Sequence, residues 1–234
     1  MPAKYTGPVV FITHPLWTEA RNGFLEPEKV KRQEKFHRQK ILQLLCFAAK
    51  HGLPVFYVRD PKTEKKFFEL AEQAGFNARE RHRVFQLKPV FFSKQNRNAQ
   101  IICLEQGTAL PEKLKNHFNP TSIIHAGALR TECVGDSIFG TGKAWPNARQ
   151  VLLTGSYSFE LPAFRFPSEP KNRGVWTDRA AKMRELRASG VHTTSKLGRH
   201  LFFPQHSFNS KSNGMPLKPV LASRKKPRFN PKRI

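Results

Sequence analysis

The feature of this sequence that most constrains its fold is the alternation of short apolar runs with segments long enough to form helices. The apolar runs predict five buried strands, at residues 9–13, 53–58, 84–87, 122–126 and 151–154. Capping and breaker residues predict helices at 27–50, 65–73 and 177–188. Strands joined by helical crossovers pair in parallel, with helices covering both faces of the sheet. We therefore predict a three-layer α/β fold, in which sites lie beyond the carboxyl ends of the strands.

Positive charge is concentrated toward the end of the chain. The 234 residues include 41 Lys and Arg against 17 Asp and Glu, a formal net charge of +24. Residues 190–234 hold ten basic side chains and no acidic one, with prolines throughout. Such a segment buries too little apolar surface to fold alone. We therefore predict an α/β domain over residues 1–202 and an extended, basic, Pro-rich tail over residues 203–234.

Composition excludes several classes of protein. No apolar run approaches the roughly 18 residues of a membrane span. Residues 1–5 do not resemble a secretory signal or a transit peptide. The three cysteines, Cys46, Cys103 and Cys133, are too few for a disulfide scaffold, and they indicate a reducing compartment. Cys46 and Cys103 lie in apolar surroundings, and we expect both to pack in the core.

Several segments together resemble an isochorismatase-like cysteine hydrolase. They are the first strand, the helical stretch 41–45 followed by residues 51–60, and the stretch 127–134, which ends in Cys133 and Val134 directly after a predicted strand. The last helix followed by residues 189–195 is similar to the end of that family's domain. The resemblance covers about residues 8–202 and rests on the order and spacing of these segments.

The resemblance implies a catalytic triad of cysteine, aspartate and lysine. In that chemistry a thiolate attacks the substrate, a carboxylate accepts a proton and the lysine balances charge. Cys133 falls at the position of the nucleophile. Lys88 falls at the position of the lysine, with Lys94 as the alternative. Thr13 stands where the family has its aspartate.

This departure predicts a vestigial catalytic centre. A threonine hydroxyl does not accept a proton at neutral pH. His14 follows Thr13 directly, and in an extended strand it would point to the opposite side. We therefore favour an inert Cys133, no catalytic residues and no cofactor, although Cys133, Lys88 and Thr13 stay the candidates if activity survives. An active cysteine hydrolase of a small amide or ester, with the tail used for targeting, is the alternative.

Two further motifs are weak. The nicotinamidase branch of the family places metal-binding histidines after the second strand, but Asp60 is followed here by Pro61 and Lys62, so we predict no metal. The stretch 139–143 is faintly similar to a Gly-rich phosphate loop. It lacks the remaining Walker spacing, and we interpret it as a turn.

Basic clusters favour a polyanionic partner. The half-helix 29–40 is strongly basic, but Glu28 and Glu34 also fit an ordinary solvated face. The tail interleaves cations with Phe229 and prolines, as an arm between phosphates would, and a localisation signal is the simpler alternative. The predicted RNA-binding residues are Arg79, Arg81, Arg83, Lys196, Arg199, Lys211, Lys218, Arg224, Lys225, Lys226, Arg228, Lys232 and Arg233.

The sequence therefore favours a structural RNA-binding subunit of a large ribonucleoprotein. The predicted partners are structured RNA, by analogy ribosomal RNA, and neighbouring proteins of the same particle. Recruitment of old metabolic folds is typical of mitochondrial ribosomes, which favours the mitochondrion over the cytoplasm or another reducing compartment. A nucleic-acid-packaging or virion protein would share the charge and is a further alternative.

Overall fold

The run predicted as the first strand forms β1 (Val9–Thr13) in the computed structural model, and all five of its residues are buried. The remaining strands are β2 (Val55–Val58), β3 (Phe76–Ala78), β4 (Phe91–Ser93), β5 (Gln100–Leu104), β6 (Ser122–Gly127), β7 (Arg149–Leu153) and β8 (His192–Thr194). The structure describes residues 4–16, 27–78, 91–93, 99–105, 110, 112–128, 130, 133–158 and 179–202.

The strands form one sheet in the order β3-β4-β5-β2-β1-β6-β7-β8. The six strands from β5 to β8 in that order are parallel, while β3 and β4 pair in antiparallel fashion at one edge. At the carboxyl end of β1, Thr13 lies opposite Val58 on one side and Gly127 on the other. The predicted α/β sheet is thus confirmed, with an antiparallel pair added at its edge.

Five helices accompany the sheet in the described part of the chain. They are α1 (Pro27–His51), α2 (Glu64–Gln73), α3 (Glu112–His117), α4 (Cys133–Ala144) and α5 (Arg179–Ala188). None of them is both long and apolar enough to cross a membrane.

Three clusters of packed side chains show that helices cover both faces of the sheet. On one face, Ile41 of α1 and Phe67 of α2 belong to the cluster that includes Val10 and Ile124. On the other face, Leu114 of α3 packs with Phe11 and Ile123, while α4 and α5 contribute Val134, Ile138 and Leu186 to a third cluster. The predicted three-layer architecture is therefore confirmed.

Four of the five predicted strands appear, with shifted ends. β2 begins at Val55, because Pro54 has no N–H for the ladder and instead accepts a hydrogen bond from Val10 through its carbonyl. The strand predicted at 84–87 lies outside the described residues, as does the tail predicted at 203–234. The parallel strand next to β2 is β5, whose apolar run was predicted only as core packing.

Two sequence predictions about the helices are wrong. The stretch 139–143 is not a turn but the last part of α4, because Ile138 and Thr141 are buried at helical spacing and hold the segment against the sheet. Cys46 is exposed rather than buried, because it falls on the outer face of α1 while Leu44, Leu45 and Ala48 face the sheet. Cys103 is buried, as predicted.

Candidate functional site

The crevice that this topology favours for ligands lies between β1 and β6. The chain continues from β1 to α1 on one face and from β6 to α4 on the other, which makes this pair the switch point of the sheet. Thr13 ends β1 here, and α4 begins here with Cys133. The fold thus brings Thr13 and the first turn of the Cys133 helix to one edge.

A chain of hydrogen bonds joins these two positions through Ser137. The Oγ of Ser137 donates to the carbonyl oxygen of Cys133 at 2.8 Å. The Oγ1 of Thr13 lies 2.9 Å from the same Ser137 oxygen. Since the Ser137 proton points to Cys133, Thr13 is the donor in the second bond. The buried hydroxyl of Thr13 therefore attaches β1 to α4.

Backbone contact closes the base of the crevice. The N–H of Ala128 donates to the carbonyl oxygen of Thr13 at 2.8 Å. Gly127 has a φ of +124°, and a Cβ at this residue would lie only 1.8 Å from the same oxygen. A glycine is therefore required at residue 127, because any side chain would separate β1 from β6.

His14 does not continue the strand as we predicted. Its φ is +43°, so the chain turns out of the extended conformation directly after Thr13. The alternation rule that placed its side chain on the opposite side of a strand does not apply to it. His14 is buried, with only 4% of its surface exposed.

A second histidine, His37 of α1, reaches the same edge. Its Nδ1 donates to the carbonyl oxygen of Ser156 at 2.7 Å, in the 3₁₀ turn Gly155–Tyr157 that follows β7. Burial lowers the pKa of His37, and hydrogen bonding to the backbone of Ser156 and Pro15 offsets part of this. A neutral His37 therefore joins α1 to the segments that follow β1 and β7.

Arg130 joins the segment after β6 to the segment after β7. Its Nε and Nη2 donate to the carbonyl oxygen of Ser158, at 3.3 and 2.7 Å. Ser158 also forms a parallel bridge with Gly127. This guanidinium is thus engaged with the backbone at the carboxyl edge of the sheet.

The segment after β2, where we predicted no metal site, contains an ion-pair network. Arg59, after β2, donates to both carboxylate oxygens of Glu64, at 2.7 and 2.8 Å, and to Glu105 at 2.9 Å. These partners, Glu64 first, raise the pKa of Arg59. Asp60 accepts a hydrogen bond from the N–H of Lys62 at 3.0 Å. Within the described ranges, no three His, Cys, Asp or Glu residues are grouped so that they could hold a metal ion.

Cys133 itself is half-buried at the start of α4. Attack by its thiol would need a group to take the proton, and the Thr13 hydroxyl, which is linked to this helix through Ser137, is a very weak base. The predicted lysine positions, Lys88 and Lys94, lie outside the described residues. What the described geometry supports at this edge is a set of structural links between strands and helices.

The basic residues predicted to bind RNA fall mostly outside the described part of the chain. Lys196 is exposed just after β8, and Arg199 begins the 3₁₀ turn Arg199–Leu201. The predicted residues that lie outside the described ranges are Arg79, Arg81, Arg83, Lys211, Lys218, Arg224, Lys225, Lys226, Arg228, Lys232 and Arg233.

The first half of α1 carries a surface that sequence analysis identified only in part. Arg32, Lys35, Phe36 and Gln39 are exposed at helical spacing, and we call them the α1 face. Among the described residues, Phe36 is the large apolar side chain left in solvent, with 53% of its surface exposed. In the sequence, this face is indicated only by Phe36, a single phenylalanine in a charged half-helix that does not share the helical phase of the apolar residues that follow.

No protein-family model matches the chain, and no curated protein or solved structure matches it at a significant level.

Proposed function

We propose that this protein is a structural RNA-binding subunit of a large ribonucleoprotein, built on a catalytically degenerate isochorismatase-like domain. The observation that carries the proposal is the net charge of +24, with an acid-free stretch from residue 190 to residue 234. So many like charges repel one another in the compact state unless a polyanion neutralises them. Structured RNA supplies such charge at high density.

The carboxyl edge of the sheet supports the degenerate part of the proposal. The parallel order β5-β2-β1-β6-β7-β8 places Thr13 and Cys133 at the switch point, as the resemblance requires. The Thr13 hydroxyl is used as a donor to Ser137, and the Arg130 side chain is used on the backbone of Ser158. Both groups hold the fold together where a hydrolase would bind and activate its substrate.

The α1 face supports the RNA-binding part. Arg32 and Lys35 are exposed in the turn of α1 that precedes Phe36. Cations contact phosphates, and an exposed aromatic ring stacks on an unpaired base without reading its identity. An aromatic flanked by cations therefore fits folded RNA, in which unpaired bases lie beside phosphates.

The proposed particle is a ribosome, and by analogy that of mitochondria. The test is to express the tagged full chain in cells and sediment the lysate through a gradient at moderate salt, with and without ribonuclease. We expect the chain to move with a large particle and to shift to the top of the gradient after ribonuclease treatment. A chain that stays at the top in both samples would overturn the proposal.

A matched pair of charge variants tests the α1 face. Arg32→Gln with Lys35→Gln removes two cations beside Phe36, while Lys62→Gln with Lys65→Gln removes two exposed cations at the start of α2. We expect the first pair to weaken binding to structured RNA and to reduce the slope of log affinity against log salt by about 1.5. Equal effects of both pairs would show that only total charge matters.

A further inference from the structure

A groove lies at the amino edge of the sheet, away from the carboxyl-edge crevice. It is enclosed by the last turn of α4, the start of β7 and the turn after α5, with a volume of about 370 Å³. This volume falls at the lower end of the roughly 300–1,000 Å³ typical of small-ligand sites. The groove therefore has room for one compact group rather than for a helix or a strand.

The lining of the groove combines an apolar floor with a positive rim. Ile138, Phe139 and Val191 supply apolar surface. The charged side chains of the lining are Lys143 and Arg149, and both are basic. A ligand that suits this lining is apolar and flat on one side and anionic on the other.

Several neighbouring groups set the charge beside the rim. Arg149 donates to the carbonyl oxygen of His200 at 3.3 Å, and His192 follows Val191 directly. Burial, then the nearby Arg149 and His200, lower the pKa of His192. The carbonyl ends of α4 and α5 also face this edge, and Lys143 and Arg187 in their last turns offset that partial negative charge. Glu185 of α5 pairs with Lys182 at 3.6 Å.

Two glycines keep the groove open. Gly142 of α4 and Gly190 after α5 both line it, and a Cβ at either residue would have no atom within 4 Å. Glycine lowers helix stability relative to alanine, and no described atom occupies the space beside Gly142. The missing side chain at Gly142 lets a group in the groove approach the helix backbone closely.

From this lining we infer that the groove binds one nucleotide of single-stranded RNA, with the base beside the Phe139 ring, which also has Lys182 Nζ 4.7 Å from its centroid, and the phosphate at Lys143 and Arg149. The inference rests on the proposed function and adds a defined contact to it. Stacking on one aromatic ring tolerates every base, which fits a protein that recognises RNA shape more than sequence.

The helix itself supplies a matched pair of variants. Gly142→Leu places a side chain in the groove, while Gly140→Leu places the same side chain on the same helix outside the groove lining. Both changes raise helix propensity, so both proteins should fold, and thermal unfolding checks this. Lys143→Gln, at an exposed residue, tests the rim without filling the groove.

Binding is measured by fluorescence anisotropy with a labelled single-stranded RNA about ten nucleotides long, using the full chain. We expect Gly142→Leu to weaken binding about tenfold, as loss of one stacked base does, and Lys143→Gln about threefold. Gly140→Leu should stay within twofold of the original protein.

Three outcomes overturn the inference. If Gly142→Leu binds as the original protein does, the groove holds no nucleotide, while the proposed function stands. If Gly140→Leu weakens binding equally, the effect belongs to the helix and not to the groove. If an acidic peptide rich in phenylalanine displaces the RNA from the original protein but not from Gly142→Leu, the groove takes a protein segment. A protein that binds no RNA at any salt concentration contradicts the proposed function itself.

Discussion

The Thr13 hydroxyl donates to Ser137 across 2.9 Å, from the end of the central strand to the first turn of α4. Because the Ser137 hydroxyl donates its own hydrogen bond to the carbonyl oxygen of Cys133, the two hydroxyls act as one link between β1 and α4. The Thr13 side chain is therefore part of the framework of the fold.

We expect this link to contribute measurably to stability. Thr13→Val keeps the shape of the side chain and removes the donor, which should lower the free energy of unfolding by about 1 kcal/mol. The control is a double-mutant cycle with Ser137→Ala, measured by urea denaturation. A coupling energy of about 0.5–1.5 kcal/mol is expected, and a coupling energy of zero would show that the two hydroxyls act independently.

Cys133→Ala should leave the biological role intact. The proposed role depends on surface charge, and the Thr13 hydroxyl, which hydrogen-bonds to Ser137, is too weak a base to activate the thiol. The measurement is the share of the variant in purified particles, beside its activity on a nicotinamide-like or isochorismate-like substrate. Hydrolysis by the original protein that disappears in Cys133→Ala would support the hydrolase alternative instead.

Gly127→Ala should prevent folding or lower the free energy of unfolding by more than about 4 kcal/mol. The added Cβ would meet the Thr13 carbonyl oxygen at 1.8 Å, in a backbone conformation with φ of +124°. Gly190→Ala is the control, because its φ of +81° is also positive but a Cβ there meets nothing within 4 Å. Backbone strain alone should make Gly190→Ala less stable by about 1–2 kcal/mol. Similar losses in both variants, measured by urea denaturation, would contradict the steric explanation.

Acid should destabilise the domain through His125. This β6 histidine is fully buried and donates from Nε2 to the Gln150 side-chain oxygen at 2.8 Å, while its Nδ1 has no hydrogen-bond partner in the described part of the chain. Burial lowers the pKa of His125 to about 4, and the hydrogen bond to Gln150 opposes the shift. The unfolded chain, with a histidine pKa of about 6.5, binds a proton first.

The stabilising effect of a neutral His125 is therefore complete above about pH 6.5 and is lost as the pH falls toward about 4, by roughly 3 kcal/mol in all. His37, whose pKa is also lowered, contributes in the same direction. Denaturant unfolding at a series of pH values should show a steeper decline for the original protein than for His125→Gln. If the free energy of unfolding falls equally with pH in both proteins, the pH dependence does not come from His125.

Removal of residues 203–234 should leave thermal unfolding almost unchanged and reduce incorporation into the particle. The removed segment carries eight basic side chains and no acidic one, so its loss removes phosphate contacts. The measurements are the melting temperature and the share of truncated chain in purified particles. Full incorporation without these residues would mean that the α1 face, or the predicted RNA-binding residues Arg79, Arg81 and Arg83, attaches the protein to the particle instead.

A longer deletion, of residues 197–234, is the matched comparison. It removes Leu201, which is fully buried, and Phe202, which stacks on Phe47 at 5.4 Å between ring centroids. Ser122 also loses the carbonyl of Leu201 as its hydrogen-bond acceptor. This deletion should lower the free energy of unfolding by about 3 kcal/mol. If the two truncated proteins have the same melting temperature, the turn Arg199–Leu201 does not belong to the core.

The sequence predicts the centre of this fold better than its edges. Continuous apolar runs identify β1 and β6, because a strand covered on both faces by helices has no polar side. Cys46 was misplaced because its neighbours are apolar, and only the phase of α1 shows that it faces outward. The helix through Gly140 and Gly142 depends on tertiary packing, which overrides the low helix propensity of glycine.

The candidate site was predictable in part. The position of Thr13 at a strand end and of Cys133 at a helix start follows from the order of the elements. The Thr13–Ser137 bond joins residues 124 positions apart, and no local pattern encodes it. The groove at Lys143 and Arg149 likewise forms only where a helix end meets a strand start.

The central place of β1 has a consequence for synthesis of the protein. β1 precedes the other strands along the chain, yet it lies between β2 and β6, and β6 begins only at Ser122. At a translation rate of roughly 5–20 residues per second, about ten seconds separate the two strands. During that interval one edge of the largely apolar β1 has no partner, which is a state prone to aggregation. We therefore expect the nascent chain to need β1 shielded, by the ribosome or a chaperone, until the second half of the sheet emerges.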